Sequence, residues 1–97
     1  MFMAQLQFIL VAYDISHNGR RTKLHNALKD FGTPVQYSVF ECLLTPQENQ
    51  KMRQAVARII KPRVDQVRFY PLCQSCLKRV EVTSGPELLH QTTFLFT

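Results

Sequence analysis

One acid stands where a metal ion could be held. The run Phe8-Ile9-Leu10-Val11-Ala12-Tyr13 ends on Asp14. A carboxylate at the end of a buried strand suits Mg²⁺, because hard cations prefer oxygen ligands. Near a phosphodiester, such an ion lowers the pKa of bound water and steadies the leaving oxygen. One carboxylate per chain is thin for a metal site. A twofold dimer would bring two copies of Asp14 together if the strand end lies near the axis. The competing reading is an Asx-turn or a cap at a strand–helix junction, and the residues alone tilt toward it.

Arg20, Arg21 and Lys23 follow within the first turns of the next helix. Helix N-termini attract phosphate through free N–H groups, and arginine adds bidentate contacts. The alternative is a solvated basic face, but the helix dipole disfavours cations at this end. Ser38 can donate to a phosphate or a water. Phe40 can stack on a base or fill the core, and strand phenylalanines are usually packed. Cys73 and Cys76 form one CxxC between two expected strands. Zinc needs four ligands and there is no second pair, so the motif reads as a turn, with a metal shared across a dimer as the lesser alternative. His17 reads as an exposed turn residue.

The elements that must position these groups follow from pattern. Residues 7–14 read as a central strand, continuously apolar and so covered on both faces. "SHNG" marks a turn. A helix is expected over 19–31, with Leu24, Ala27, Leu28 and Phe31 in one stripe, stopped by Gly32 and Pro34. "VQYSVFECLL" reads as a strand long enough to bend or to hold a bulge or tight turn. Its alternation puts Ser38 and Phe40 on one face. "TPQE" is a helix start, with Thr45 as cap, Pro46 at the first position and Glu48 closing a capping box. Met52, Ala55, Val56, Ile59 and Ile60 form its buried face, and Pro62 ends it. "DQVRFYPL" reads as a further strand and "KRVEVTSG" as a short one closed by Gly85-Pro86. The tail, residues 86–97, ends in the β-prone "TTFLFT", which is expected to pack on a neighbouring strand or a partner chain.

The expected class is α+β, a ferredoxin-like βαββαβ-type sandwich over residues 1–85 with an extra C-terminal strand. Both helices lie on one face of the sheet. Stacking sheet on sheet in a homodimer would cover the other. With 97 residues, 45% hydrophobic and 20% charged, the chain suits one globular domain. Its net charge of +5 suits polyanionic partners, nucleic acid foremost. Three cysteines and no leader-like N-terminus point to a reduced, cytoplasmic protein, and no apolar run is long enough to span a membrane.

The segments "YDIS", "GRRTKLHNALKDFG", "PVQYSVFECLLT" and "VRFYPLCQSCLKRVEV" resemble the CRISPR-associated protein two family, the small partner of the CRISPR integrase. The likeness runs from about residue 8 to residue 85. It implies the ferredoxin-like fold and a homodimer in which Asp14 binds Mg²⁺ jointly with its copy. It implies a metal-dependent endonuclease acting on RNA or double-stranded DNA, and a role in spacer acquisition for antiviral defence. Tyr13, Arg21, Lys23, Ser38 and Phe40 match positions that support phosphate binding or cleavage. Some relatives carry arginine where this chain has Lys23, and some carry a basic residue where it has Pro34. Two other functions compatible with the sequence are a non-catalytic DNA-binding scaffold of the integrase complex and a toxin-like ribonuclease.

Overall fold

The computed structural model describes residues 5–81. Its elements run β1 (Gln7–Asp14), α1 (Asn18–Leu28), β2 (Gly32–Gln36), β3 (Val39–Leu44), α2 (Pro46–Ile59), β4 (Gln66–Leu72) and the short α3 (Gln74–Leu77). The sheet order is β2-β3-β1-β4, and every pairing is antiparallel. Each main helix therefore joins two strands that have a third strand between them. This is the expected βαββαβ order, with α3 added.

β1 holds the sheet together by pairing on both edges, with β3 from Gln7 to Ala12 and with β4 from Phe8 to Asp14. Period-two alternation turns Ile9, Val11 and Tyr13 toward the helices. They pack there with Phe40, Cys42 and Leu44 of β3, Leu24 and Leu28 of α1, and Met52 and Val56 of α2. Phe8, Leu10, Ala12 and Asp14 take the opposite face. Phe8 is buried and Leu10 and Ala12 are half-buried, so the strand is apolar on both sides as its sequence indicates.

α2 forms as its sequence dictates. The Glu48 N–H donates to Thr45 Oγ1 (3.2 Å) and the Thr45 N–H to Glu48 Oε1 (2.8 Å), completing the capping box. Arg53 accepts no place in the core; its guanidinium lies 4.1 Å from the Phe69 ring centroid, pinning α2 to β4.

Two expectations need correction and one is narrowed. α1 ends at Leu28, not at residue 31. Asp30 and Phe31 donate to Ala27 and Leu28 through tightened i→i−3 bonds, and Gly32 and Pro34 already belong to β2. β2 is an edge strand, where a proline costs no internal ladder bond. A Cβ on residue 32 would lie 2.5 Å from Cys42 Sγ and hard against the Glu41 carbonyl, so only glycine lets β2 close on β3 here. Second, "VQYSVFECLL" takes the tight turn that its length allowed, giving two strands around Tyr37-Ser38. Third, the described part of the expected strand over 78–85 is no strand. Lys78, Arg79 and Val80 donate back to Gln74, Cys76 and Leu77 and keep the chain coiled. Residues 82–97, including the tail, lie outside the described residues. No helix among the described residues is long and apolar enough to cross a membrane.

The link between α1 and the approach to β4 is ionic. Arg20 Nε donates to Asp65 Oδ2 (2.7 Å) and Nη2 to Oδ1 (3.1 Å), a bidentate pair whose carboxylate is wholly shielded. The Lys61 N–H adds a third bond to Asp65 at 2.8 Å. A shielded carboxylate is tolerable only when paired in this way. Arg20 first and the Lys61 N–H second hold the Asp65 pKa below its usual 3.8. A depressed carboxylate gives stability that is present above its unfolded pKa and lost as pH falls through the folded one. Asp65→Asn should therefore lower Tm at pH 7. The gap to wild type should narrow steadily below about pH 4, as followed by thermal melts across pH.

Candidate metal and nucleic-acid site

Asp14 is the last residue of β1 and faces solvent. Its backbone pairs with Gln66 at the start of β4, so the carboxylate is carried on a strand pinned to its neighbour. Together with Ala12, Tyr13, Gln66, Arg68 and Tyr70 it lines a recess of about 230 Å³. Arg68 Nη1 donates to Tyr70 Oη at 3.4 Å within this group.

The donor set can be tested against a hard cation. Asp14 brings a carboxylate and Gln66 an amide oxygen, both suitable for Mg²⁺. No group of three His, Cys, Asp or Glu side chains suited to a metal occurs among the described residues. Arg68 in the same recess is a competing cation. One chain therefore brings one carboxylate and one amide oxygen to this recess, oxygen donors of the kind a hard cation takes but too few to enclose it.

Tyr13 points the other way, into the helix-covered side. Its N–H donates to the Ser38 carbonyl at 3.0 Å, tying the β2–β3 turn to the end of β1. Its hydroxyl lies 3.3 Å from the Tyr37 carbonyl and 3.2 Å from His25 Nδ1. A phenol that donates to Tyr37 can still accept from an Nδ1–H of His25. Burial raises the Tyr13 pKa, partly offset by the Arg21 charge, so the side chain is a neutral phenol at physiological pH. Tyr13, Arg21, Thr22, His25, Tyr37 and Ser38 line a second recess of about 310 Å³.

The basic residues divide by role. Arg21 Nη1 donates to the Ile15 carbonyl (2.9 Å) and the Ser16 carbonyl (3.4 Å), and Nη2 bonds Asn18 Oδ1. It clamps the loop after Asp14 while remaining exposed beside the second recess. Lys23 is exposed on α1. Arg20 is committed to Asp65 and does not join them. His17 caps α1, its Nδ1 accepting from the Arg20 N–H at 3.1 Å. Ser38 sits in the turn and not on a strand, so it does not share a strand face with Phe40. Phe40 is 0% exposed and packs against Tyr13 (6.4 Å) and edge-on against His25 (5.1 Å). It offers no ring face to a base.

The structure thus brings Tyr13, Arg21 and Ser38 into one recess, with Asp14 next along the chain on the opposite face. Sequence reasoning passed over His25 and Tyr37. Tyr37 is 98% exposed at the turn tip, and only recognition of that turn would have picked it out. Gln66, Arg68 and Tyr70 were also missed, although their alternation in "QVRFYPL" places them on Asp14's face.

Fold and site define a small basic α+β domain of four antiparallel strands, with a solvent-facing acid at the end of its central strand. The family model described as CRISPR associated protein Cas2 matches residues 7–80. The CRISPR-associated endoribonuclease Cas2 3 of Synechocystis sp. is 37% identical over 79 residues, covering 81% of this chain and 86% of that protein. The crystal structure of Streptococcus pyogenes Cas2 at pH 6.5 superposes with a TM-score of 0.70 at 33% identity, covering 79% of this chain and 99% of that one. A chain of a partial Cas6-RT-Cas1–Cas2 complex superposes with a TM-score of 0.69 at 30% identity, covering 81% and 92%. The chain belongs to the Cas2 family.

Phe40 separates packing from contact. Phe40→Ala should cost about 3–5 kcal/mol of stability, read by urea denaturation. Any nucleic-acid binding it loses should be lost in proportion to unfolding.

Proposed function

We propose that the chain is a metal-dependent endonuclease that cuts RNA or double-stranded DNA and works in the cytoplasm in spacer acquisition, as a homodimer beside the CRISPR integrase. The observation that carries this reading is Asp14, held in the open at the end of a strand paired on both edges, with Arg21 and Lys23 on the helix that follows. The name of the Synechocystis relative supports nuclease chemistry, and the complex that holds a similar chain supports an integrase partner.

Two chains would meet through the sheet face away from the helices. Half-buried Leu10 and Ala12, and Tyr70 at 42% exposure, leave apolar surface there. Asp14 lies on that same face, so one stacking event would both cover it and pair the two carboxylates. Mg²⁺ held by the paired carboxylates would lower the pKa of bound water and offset charge on the scissile phosphate. The remaining roles belong to the chain itself. Arg21 and Lys23 draw in and orient the phosphodiester backbone by charge. Tyr13 and Ser38 fix the wall of the recess in which Arg21 sits.

The similar chain in the Cas6-RT-Cas1–Cas2 complex favours a second reading, a scaffold that holds DNA by its backbone without cutting it. One experiment separates the two. Matched RNA and duplex DNA substrates are incubated with wild type and Asp14→Ala across Mg²⁺ concentrations, with binding measured in parallel. The nuclease reading expects cleavage to fall by roughly a hundredfold or more, with binding retained and Tm within about 3 °C of wild type. Undiminished cleavage by a variant free of contaminating nuclease would refute it. Absence of cleavage in both proteins, with binding intact, would favour the scaffold.

A further inference from the structure

The CxxC of residues 73–76 takes no part in the site above. It lies at the far end of β4 from Gln66, and six residues of strand span roughly 20 Å. The sequence reading makes it a turn between strands. In the structure it joins a strand to a helix, with Cys73 the N-cap residue of α3 and Cys76 within its single turn. The two Sγ atoms are 3.4 Å apart, and both cysteines are exposed. A disulfide bond is about 2.05 Å long, so a small side-chain rotation closes the gap. Ser75 Oγ lies 3.2 Å from Cys73 Sγ.

The two thiols are unequal. The Ser75 hydroxyl, followed by hydrogen bonds from Cys76, lowers the Cys73 pKa to about 7. Cys76 is pushed up by its hydrogen bond to Cys73 and then by the Cys73 charge. An attacking thiol works best with a pKa near the ambient pH, and a resolving thiol needs only proximity. Cys42 provides the contrast. It is buried, 3.9 Å from Met52 Sδ, and burial pushes its thiol up to about 11.

We propose that Cys73 and Cys76 form a redox-active dithiol that exchanges with low-molecular-weight disulfides, with Cys73 attacking and Cys76 resolving. The Cys73 thiolate attacks one sulfur of a disulfide RSSR. A Cys73–SR bond forms and the first RS⁻ leaves. Cys76 then attacks Cys73 Sγ, the Cys73–SR bond breaks and the second RS⁻ leaves. The pair loses two electrons and RSSR gains them. The two protons of the pair end on the two released thiols. The exchange site borders a recess of mixed character, lined by Gln5, Gln7 and Gln74 as well as Phe8, Leu72 and Leu77, and closing the disulfide would stiffen the turn that seats buried Leu77. This inference is independent of the nuclease reading.

The test uses the full chain, purified reduced and exposed to oxidised glutathione at pH 7, then acid-quenched, alkylated and mapped by mass spectrometry. Wild type should form the Cys73–Cys76 disulfide while Cys42 stays reduced. Cys76→Ser should accumulate glutathione on Cys73. Cys73→Ser should react at least tenfold more slowly. Circular dichroism should show the same fold for both variants, as expected for exposed positions. A Cys73 that reacts no faster than Cys76 would overturn the proposal. So would a copurifying zinc ion that shields both thiols in the untreated protein.

Discussion

The whole arrangement depends on β1 being paired along both edges. A strand bonded to β3 on one side and β4 on the other cannot slip by one residue without exchanging its two faces. Slippage would drive Asp14 into the core and pull Ile9, Val11 and Tyr13 out of it. Hydrophobic burial therefore fixes the register, and the register fixes the acid. The carboxylate at the strand end is positioned by the packing of its apolar neighbours, with no hydrogen-bond network of its own required.

The same logic sorts the positive charges. Three cations follow Asp14 within a few residues, yet their environments differ. Arg20 is spent on shielded Asp65, a structural pair that joins α1 to the start of β4. Arg21 closes the loop between Asp14 and α1 while staying at the surface. Lys23 is simply exposed. Only the last two combine charge with access, which is what backbone phosphate contact requires. Tyr13 connects both halves. Its side chain belongs to the helix-covered recess, and its backbone carries the chain directly into Asp14.

Much of the fold was legible because its signals are local. The apolar run of β1 and the Thr45–Glu48 capping box each announce an element within a few residues. The turn at Tyr37-Ser38 was legible only as one option beside a bend or a bulge, without its position. It lacks the Asn-Gly or Gly-rich signature of tight hairpins, and the flanking β-prone residues read as one strand. That error carried Ser38 onto a strand face shared with Phe40. The Arg20–Asp65 pair joins residues 45 apart, and no local pattern marks such a partner. Asp14 stood out in the sequence because charge at the end of an apolar run is unusual. Its recess partners Gln66, Arg68 and Tyr70 become neighbours only once β4 is laid against β1.

The central claim is that two copies of Asp14 make one metal site. Calorimetric titration of the purified protein with Mg²⁺, together with its oligomeric state by light scattering, tests this most directly. The account predicts one ion per two chains, abolished in Asp14→Asn while the dimer persists. One ion per chain, or binding unchanged in the variant, would contradict it.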